Sequence, residues 1–292
     1  MEWSTILFLT VLLMIGLIVH REFNPRQREY FSQRAPFILR QDNDKYDTFY
    51  LEYYDELYAT DSYSKHDIDI IMANTTPDQN SVFLDIGCGT GHLMEKVEQY
   101  GHTIFGVDKS RYMVEVCQER VKDSEVYCDD VLRDSMLYEN NTFSHITCTH
   151  FTLYEIENKD KLFRHCFHWL RGGGYFIVHM VDPDAYRKVL PSIDVDNASM
   201  ITNTSMEYKD YKFSTNYKTD DNISVLTETF TDKYTENVRQ NKTNLYMEQK
   251  SQILSTAMKC GFIVQTDTTY EKIVQDPHQY LVILVKPMCG DQ

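Results

Sequence analysis

Three glycines at alternate positions, set between an apolar run and a helix-forming run, constrain this chain more than any other stretch. The segment reads Val82-Phe83-Leu84-Asp85-Ile86-Gly87-Cys88-Gly89-Thr90-Gly91-His92. Val82 to Leu84 suits a short buried parallel strand. The glycines then replace side chains with bare backbone, so the chain can turn tightly and a ligand can lie against main-chain N–H groups at a helix start. Leu93, Met94, Val97 and Tyr100 follow at helical spacing. Strand, glycine turn and helix together predict a nucleotide-type cofactor site. A dinucleotide fingerprint is G-x-G-x-x-G and approaches a pyrophosphate. Here the order is D-x-G-x-G-x-G, and a carboxylate before the turn repels a pyrophosphate but suits a cationic ligand.

The residues downstream repeat the pattern. A second strand-like run from His102 to Val107 ends in Asp108, seventeen residues after Gly91. An acid there can accept hydrogen bonds from both hydroxyls of a ribose. Lys109 and Ser110 open a helix that carries Tyr112, Met113, Val116 and Cys117 on one face. A third run, Glu125 to Cys128, ends in Asp129-Asp130. Any one of these acids alone reads more readily as a solvated loop carboxylate, and glycines alone can close an ordinary strand–helix junction. Three acids at three successive strand ends point to one site.

This arrangement resembles motif I and its partners in the class I S-adenosylmethionine-dependent methyltransferases. The resemblance implies a Rossmann-like three-layer α/β sandwich around a seven-stranded, mostly parallel sheet, with the seventh strand antiparallel between the fifth and sixth. It implies S-adenosyl-L-methionine as cofactor. Gly87, Cys88, Gly89 and Gly91 would border its methionine part, Asp85 would position that part, and Asp108 would take the ribose. Asp129, or in second place Asp130, would meet the adenine amino group, and Lys109 and Met113 complete this cofactor set. Cys88 reads as a small space-filler against the strand, not a nucleophile.

Phe143-Ser144-His145-Ile146 resembles the start of motif IV, with Ser144 in place of the usual aspartate. Beyond it, Thr149 falls where the family lines the cofactor, and His150 and Tyr154 where a group can accept a proton or orient a substrate heteroatom. Leu170-Arg171-Gly172-Gly173-Gly174 is similar to the family's L-x-P-G-G turn into the fifth strand, with His179 at that strand's end as a third candidate. His150, Tyr154 and His179 are the catalytic candidates; each also reads as an ordinary strand-end lining residue. His165 and His168 share a helix face but lack further ligands nearby, so no metal is expected.

Ahead of the glycine turn, Tyr46, Tyr50, Tyr54 and Tyr58 recur every four residues and share one helical face. They pack a core or close over the cofactor as a lid. After Asp182, residues 183–247 alternate polar with apolar residues over Met206–Lys218, Ile223–Asn237 and Asn241–Tyr246, which predicts an antiparallel β insertion covering the pocket. Gln249 to Lys259 reads as a helix, and Phe262–Asp267 and Tyr280–Lys286 as the last two strands.

Residues 1–20 form a separate unit. Trp3 to Val19 carries no charge and as a helix spans roughly 25 Å, close to a hydrocarbon core of about 30 Å. Glu2 replaces the basic start of a signal peptide, and no small-x-small site follows. Arg21, Arg26, Arg28, Arg34 and Arg40 all come after the run, so a single-pass anchor would keep them, and the catalytic domain over 41–292, on the cytosolic side. Residues 21–40 read as a basic linker that can also meet anionic lipid. The net charge of −15 opposes a broad nucleic-acid surface. Seven scattered cysteines without a C-x-x-C pair fit a reducing compartment. The function expected is methyl transfer to a small or amphipathic, lipid-like acceptor. Two alternatives stay open: a non-catalytic adaptor on the same fold, and a nucleotide-dependent oxidoreductase.

Overall fold

The computed structural model describes residues 35–185, 203–271 and 276–288. The expected membrane helix over residues 1–20 lies outside them, as does most of the linker. No helix among the described residues is long and apolar enough to cross a membrane. From Phe37 onward the chain is one compact unit.

In chain order the elements are β1 (Phe37–Gln41), α1 (Thr48–Leu57), α2 (Thr60–Thr75), β2 (Val82–Ile86), α3 (His92–Gln99), β3 (Thr103–Asp108), α4 (Arg111–Arg120) and β4 (Glu125–Cys128). Then come β5 (Phe143–Cys148), α5 (Thr152–Glu155), α6 (Lys159–Trp169), β6 (Leu170–Val181), β7 (Asn203–Glu207), β8 (Tyr211–Asp220), β9 (Ile223–Asp232), β10 (Val238–Tyr246), α7 (Lys250–Lys259), β11 (Ile263–Thr269) and β12 (Gln279–Val285).

Seven strands form the main sheet in the order β11-β12-β6-β5-β2-β3-β4. β12 runs antiparallel to both neighbours, and the other pairs are parallel, as the resemblance implied. Alternate residues feed two cores because successive side chains on a strand point to opposite faces. Leu84, Phe176, Val178 and Leu284 pack with Leu162, Phe163 and Trp169 of α6 and Ile253 and Ala257 of α7. Phe83, Ile104, Ile177 and Ile283 pack on the other face with Ile68 and Ile71 of α2, Met94 and Val97 of α3, and Cys117 of α4. Near-continuous apolar runs such as Phe176–Val178 are what a sheet covered on both sides requires.

Two local readings change. Gly172-Gly173-Gly174 is not a turn before a strand: it lies inside β6 as a bulge, where the register jumps from Phe143↔Leu170 to His145↔Tyr175. Gly173, at φ +78°, is the residue that needs glycine there. Ser144, which replaces the usual aspartate, accepts the Val82 N–H (2.8 Å) and donates to the Val82 carbonyl (3.1 Å), so it stitches β5 to β2.

The second sheet has the order β1-β10-β9-β8-β7, antiparallel from β10 to β7, as the alternating pattern predicted. Its outer strand was not predicted. Residues 37–40 were read as the end of a linker; they begin β1, which pairs in parallel with β10 from Phe37↔Val238 to Gln41↔Lys242. The reason lies in non-local pairing: an isolated Phe-Ile-Leu-Arg-Gln carries no sign of a partner at the far end of the chain.

α1 sits on this sheet through an aromatic cluster. Phe49 meets Tyr211 and Phe230 edge-on at 5.2 Å each, and Tyr53 lies 5.0 Å from Tyr208. Its N-cap Asp47 accepts from the Tyr50 N–H (3.1 Å) and is held by both carboxylate oxygens on Arg239 Nη1, at 2.9 and 2.8 Å. Arg239 is 2 % exposed, so this pairing fixes the helix start against β10.

Candidate active site

The glycine turn leaves the end of β2 and is pinned to the neighbouring strand. The N–H groups of Gly87 and Cys88 both donate to the Val107 carbonyl, at 2.8 and 3.2 Å. Gly87, Gly89 and Gly91 have φ of +65°, +52° and +84°, a region that costs other residues dearly. Two of them are also sterically obligatory. A Cβ on Gly87 would stand 2.4 Å from Thr152 Cγ2, and one on Gly91 2.6 Å from Cys117 Sγ.

Asp108, the last residue of β3, faces this turn. Its Oδ2 accepts the Gly89 N–H at 3.0 Å and its Oδ1 the Ser110 N–H at 2.8 Å. Ser110 in turn caps α4 by accepting the Met113 N–H, so one carboxylate joins turn, strand and helix start. Burial raises the Asp108 pKa to about 6. Asp85 is 3 % exposed; burial raises it to about 7 against the Thr147 hydroxyl, which donates to it at 2.6 Å. Two buried carboxylates with raised pKa values make a site whose ionised form favours positive charge.

One cavity of about 280 Å³ gathers Asp85, Gly87, Cys88, Gly89, Asp108, Lys109, Met113, Asp129, Thr149, His150 and His179. Three sequence candidates stand outside its lining. Gly91 is behind the turn against Cys117. Asp130 is ion-paired with the lining residue Lys109 at 3.1 Å, while Asp129 lines the cavity and pairs with Arg133 at 2.6 Å; of the two acids Asp129 is therefore the one that reaches the cavity wall. Tyr154 is fully buried, its hydroxyl accepting the Val181 N–H at 2.7 Å and donating to the Val181 carbonyl at 3.3 Å. It joins α5 to β6, and with both bonds spent inside the fold the catalytic part expected of it is withdrawn. Cys88 lines the wall, and its hydrogen bond with Cys117 together with burial pushes its thiol pKa up, which makes it a poor nucleophile.

The two histidines differ. His150 adopts φ +51°, and its buried Nε2 has no hydrogen-bond partner; burial lowers its pKa to about 3, so it is neutral near pH 7. His179, 0 % exposed, is lowered by burial to about 4; its Nδ1 bonds the His150 carbonyl and its Nε2 lies 3.2 Å from Gln279 Oε1. His179 thus holds the His150 backbone in its uncommon conformation, and His150, a lining residue, keeps a buried ring nitrogen without a partner.

The roof comes from α1 and the second sheet. Tyr46, Tyr54 and Tyr58 of the stripe line the cavity, and Tyr50 is buried behind them; the stripe serves as both packing and lid. Asp55, on the same helix, grips the turn itself. It accepts from Thr90 Oγ1 (2.5 Å) and Arg120 Nη2 (2.9 Å) and bonds His92 Nε2 (2.9 Å). Burial acts to raise its pKa, but the bonds with His92 and Thr90 prevail and hold it low.

Sequence reading missed Asp55, Lys45, Glu155 and Glu228. Lys45 is 2 % exposed, lies over the Tyr46 ring at 4.6 Å and donates to Thr243. Glu155 accepts from the Tyr46 hydroxyl at 3.2 Å. Glu228, in β9, is fully buried and accepts from Tyr50 at 2.6 Å and Tyr58 at 2.9 Å. The one available signal was an acid at an inward position of an alternating strand.

Comparison with known proteins agrees with this geometry. Residues 84–178 match the family model of a methyltransferase domain. A phosphoethanolamine N-methyltransferase from Plasmodium falciparum is 31% identical over 113 residues, 37% of this chain and 42% of that protein; the chain thus spans under half the length of this curated relative. Among solved structures, an S-adenosylmethionine-dependent methyltransferase from Clostridium acetobutylicum superposes with a TM-score of 0.62 at 16% identity, covering 82% of this chain and 98% of that one. An amino pentose methyltransferase from Micromonospora echinaspora, with S-adenosylmethionine bound, gives 0.59 at 14% identity over 82% and 98%.

Proposed function

We infer that this chain, a class I methyltransferase in fold and in the match of its residues 84–178, transfers a methyl group from S-adenosylmethionine to a small or amphipathic acceptor. The observation that carries the reading is the meeting of Asp85, Asp108 and the glycine turn in one cavity. When bound, the donor would supply a methyl carbon on a sulfonium to the acceptor's lone pair, with the thioether as leaving group. The residues present fit that donor: the backbone of Gly87 and Gly89 lines the cavity at positive φ, and the buried carboxylates suit a cation.

In this reading the Gly87–Gly89 backbone and Asp85 border the methionine part, Asp108 takes the ribose hydroxyls, and Asp129 faces the adenine. Lys109 and Met113 line the same end. Met113 is 1 % exposed and offers apolar contact. His150, neutral and with Nε2 unpaired, orients the acceptor heteroatom, and His179 positions His150. Alignment supplies much of the rate, because the thioether leaves readily. Transfer of radiolabelled methyl from S-adenosylmethionine across a panel of amine, phenol, thiol and lipid acceptors tests the reading. Labelled product lost in Asp108→Ala supports it; no product from any class counts against it.

The same proposal includes an anchor. The uncharged run Trp3–Val19 followed by five arginines supports a single-pass helix that leaves the catalytic domain cytosolic. Alkaline carbonate extraction of membranes tests it: the full chain stays in the pellet if anchored, and release to the supernatant contradicts the anchor.

A further inference from the structure

The roof of the cavity carries a charge pattern that transfer of a methyl group does not by itself require. On this side Asp42 and Glu155 line the wall, and Glu228 stands one hydrogen bond behind it, beyond Tyr58. Lys45 is the facing cation: it lies 3.8 Å from Glu155 Oε1 and opposes the burial that raises the Glu228 pKa. Lys109, the other lysine of the lining, is paired with Asp130. Glu155 and Glu228 thus share one ammonium, while Asp42 accepts from the backbone and side-chain N–H groups of Asn244.

The tyrosines sharpen the pattern. Tyr58 donates its proton to Glu228 and Tyr46 donates to Glu155, at 2.9 and 3.2 Å. A phenol whose proton is spent on a carboxylate presents only lone pairs to anything else. Tyr46 and Tyr54 lie with ring centroids 6.0 Å apart, edge to face, and Tyr54 and Tyr58 4.9 Å apart, which adds aromatic surface of the kind that attracts cations. Glu228 Oε2 behind the wall and Nε2 of the lining residue His150 are both buried without a hydrogen-bond partner. A carboxylate or phosphate entering here would meet acceptors and negative charge. A protonated amine would meet partners for both its charge and its N–H groups.

We propose that the cover-sheet side of the cavity is a subsite for a primary or secondary ammonium group, with Glu228, acting through Tyr58, and Glu155 as its specificity-determining residues. The proposal rests on the methyltransferase reading and names its class of acceptor. The bound ammonium loses one proton before its lone pair is free to take the methyl carbon; Glu155, whose side chain is 37% exposed, is the carboxylate that receives this proton and passes it to solvent.

The test uses the full chain saturated with S-adenosylhomocysteine and three probes of one shape, butylamine, butan-1-ol and butanoate, followed by ligand-observed NMR at pH 7. The expected result is butylamine at least tenfold tighter than butan-1-ol, with butanoate excluded. Glu228→Gln keeps the size of the side chain and is expected to shrink the butylamine preference about tenfold, with S-adenosylhomocysteine affinity within twofold. Should Glu228→Gln fail to fold, Glu155→Gln at the half-exposed position carries the same expectation. Equal binding of amine and alcohol, or no binding of all three, by a protein that holds S-adenosylhomocysteine overturns this subsite alone. A preference unchanged in both variants overturns the assignment of the two glutamates. Failure of the folded wild type to hold S-adenosylhomocysteine overturns the methyltransferase reading and this one with it.

Discussion

Burial raises Asp108 to about 6 and Asp85 to about 7, and the sign of that shift sets a pH prediction. A carboxyl pKa above its unfolded value of about 4 means that the folded chain holds the proton more tightly. The stability this lends is complete below about pH 4 and is lost as pH rises through 6 to 7. A cationic ligand favours the ionised form, so its affinity is expected to rise between pH 5 and pH 8, with protons released on binding near pH 6. Calorimetry in two buffers of different ionisation heat measures that release; Asp108→Asn is expected to reduce it. Gly87 gives a second residue-scale prediction. Gly87→Ala costs about 1–2 kcal/mol for backbone conformation and adds the collision with Thr152. Gly101→Ala at φ +82°, with open space around it, pays for conformation alone. Thermal melts are expected to rank Gly87→Ala clearly below Gly101→Ala.

At the scale of elements, α1 is held at both ends by acids. Asp47→Ala removes the N-cap, worth about 1 kcal/mol, and strands the buried Arg239, a loss of about 3–5 kcal/mol. Urea denaturation is expected to show a drop of several kcal/mol, and a change under 1 kcal/mol would contradict the latch. Asp55→Asn acts at the other end: with weaker bonds to Thr90, His92 and Arg120 the turn loosens, and KM for the methyl donor is expected to rise about tenfold with a smaller change in kcat. The helix itself was legible from the tyrosine repeat, although Tyr46 precedes its first residue and Tyr58 follows its last. Its two latches were not, since Asp47–Arg239 and Asp55–Thr90 join residues far apart in the chain. The strand-end acids were legible for the opposite reason: each stands at the C-terminal end of its own strand, and local order alone places Asp85, Asp108 and Asp129 on one edge of a parallel sheet. Tyr154 shows the limit of that logic. Chain position put it near the strand ends, but one further turn of α5 aims its hydroxyl at Val181.

The whole molecule divides the labour between two sheets. The seven-stranded sheet, buried on both faces, fixes the glycine turn and its acids and carries Glu155 on α5; the five-stranded sheet and α1 close over them and bring Lys45 and Glu228 to the roof. The second sheet draws β1 from before the glycine turn and β7 to β10 from after β6, so a fragment begun at Arg40 would lack most of an outer strand. The chain should therefore be measured entire. The most direct measurement is calorimetric titration of the full-length protein with S-adenosylmethionine and S-adenosylhomocysteine, with Asp108→Ala alongside. Loss of hydrogen bonds to a charged group is worth about 1.5–3 kcal/mol, so saturable one-to-one binding by the wild type, weakened roughly 10- to 150-fold in the variant, is the result expected. A well-folded wild type that binds neither compound would contradict the account and leave the fold as a scaffold without its cofactor.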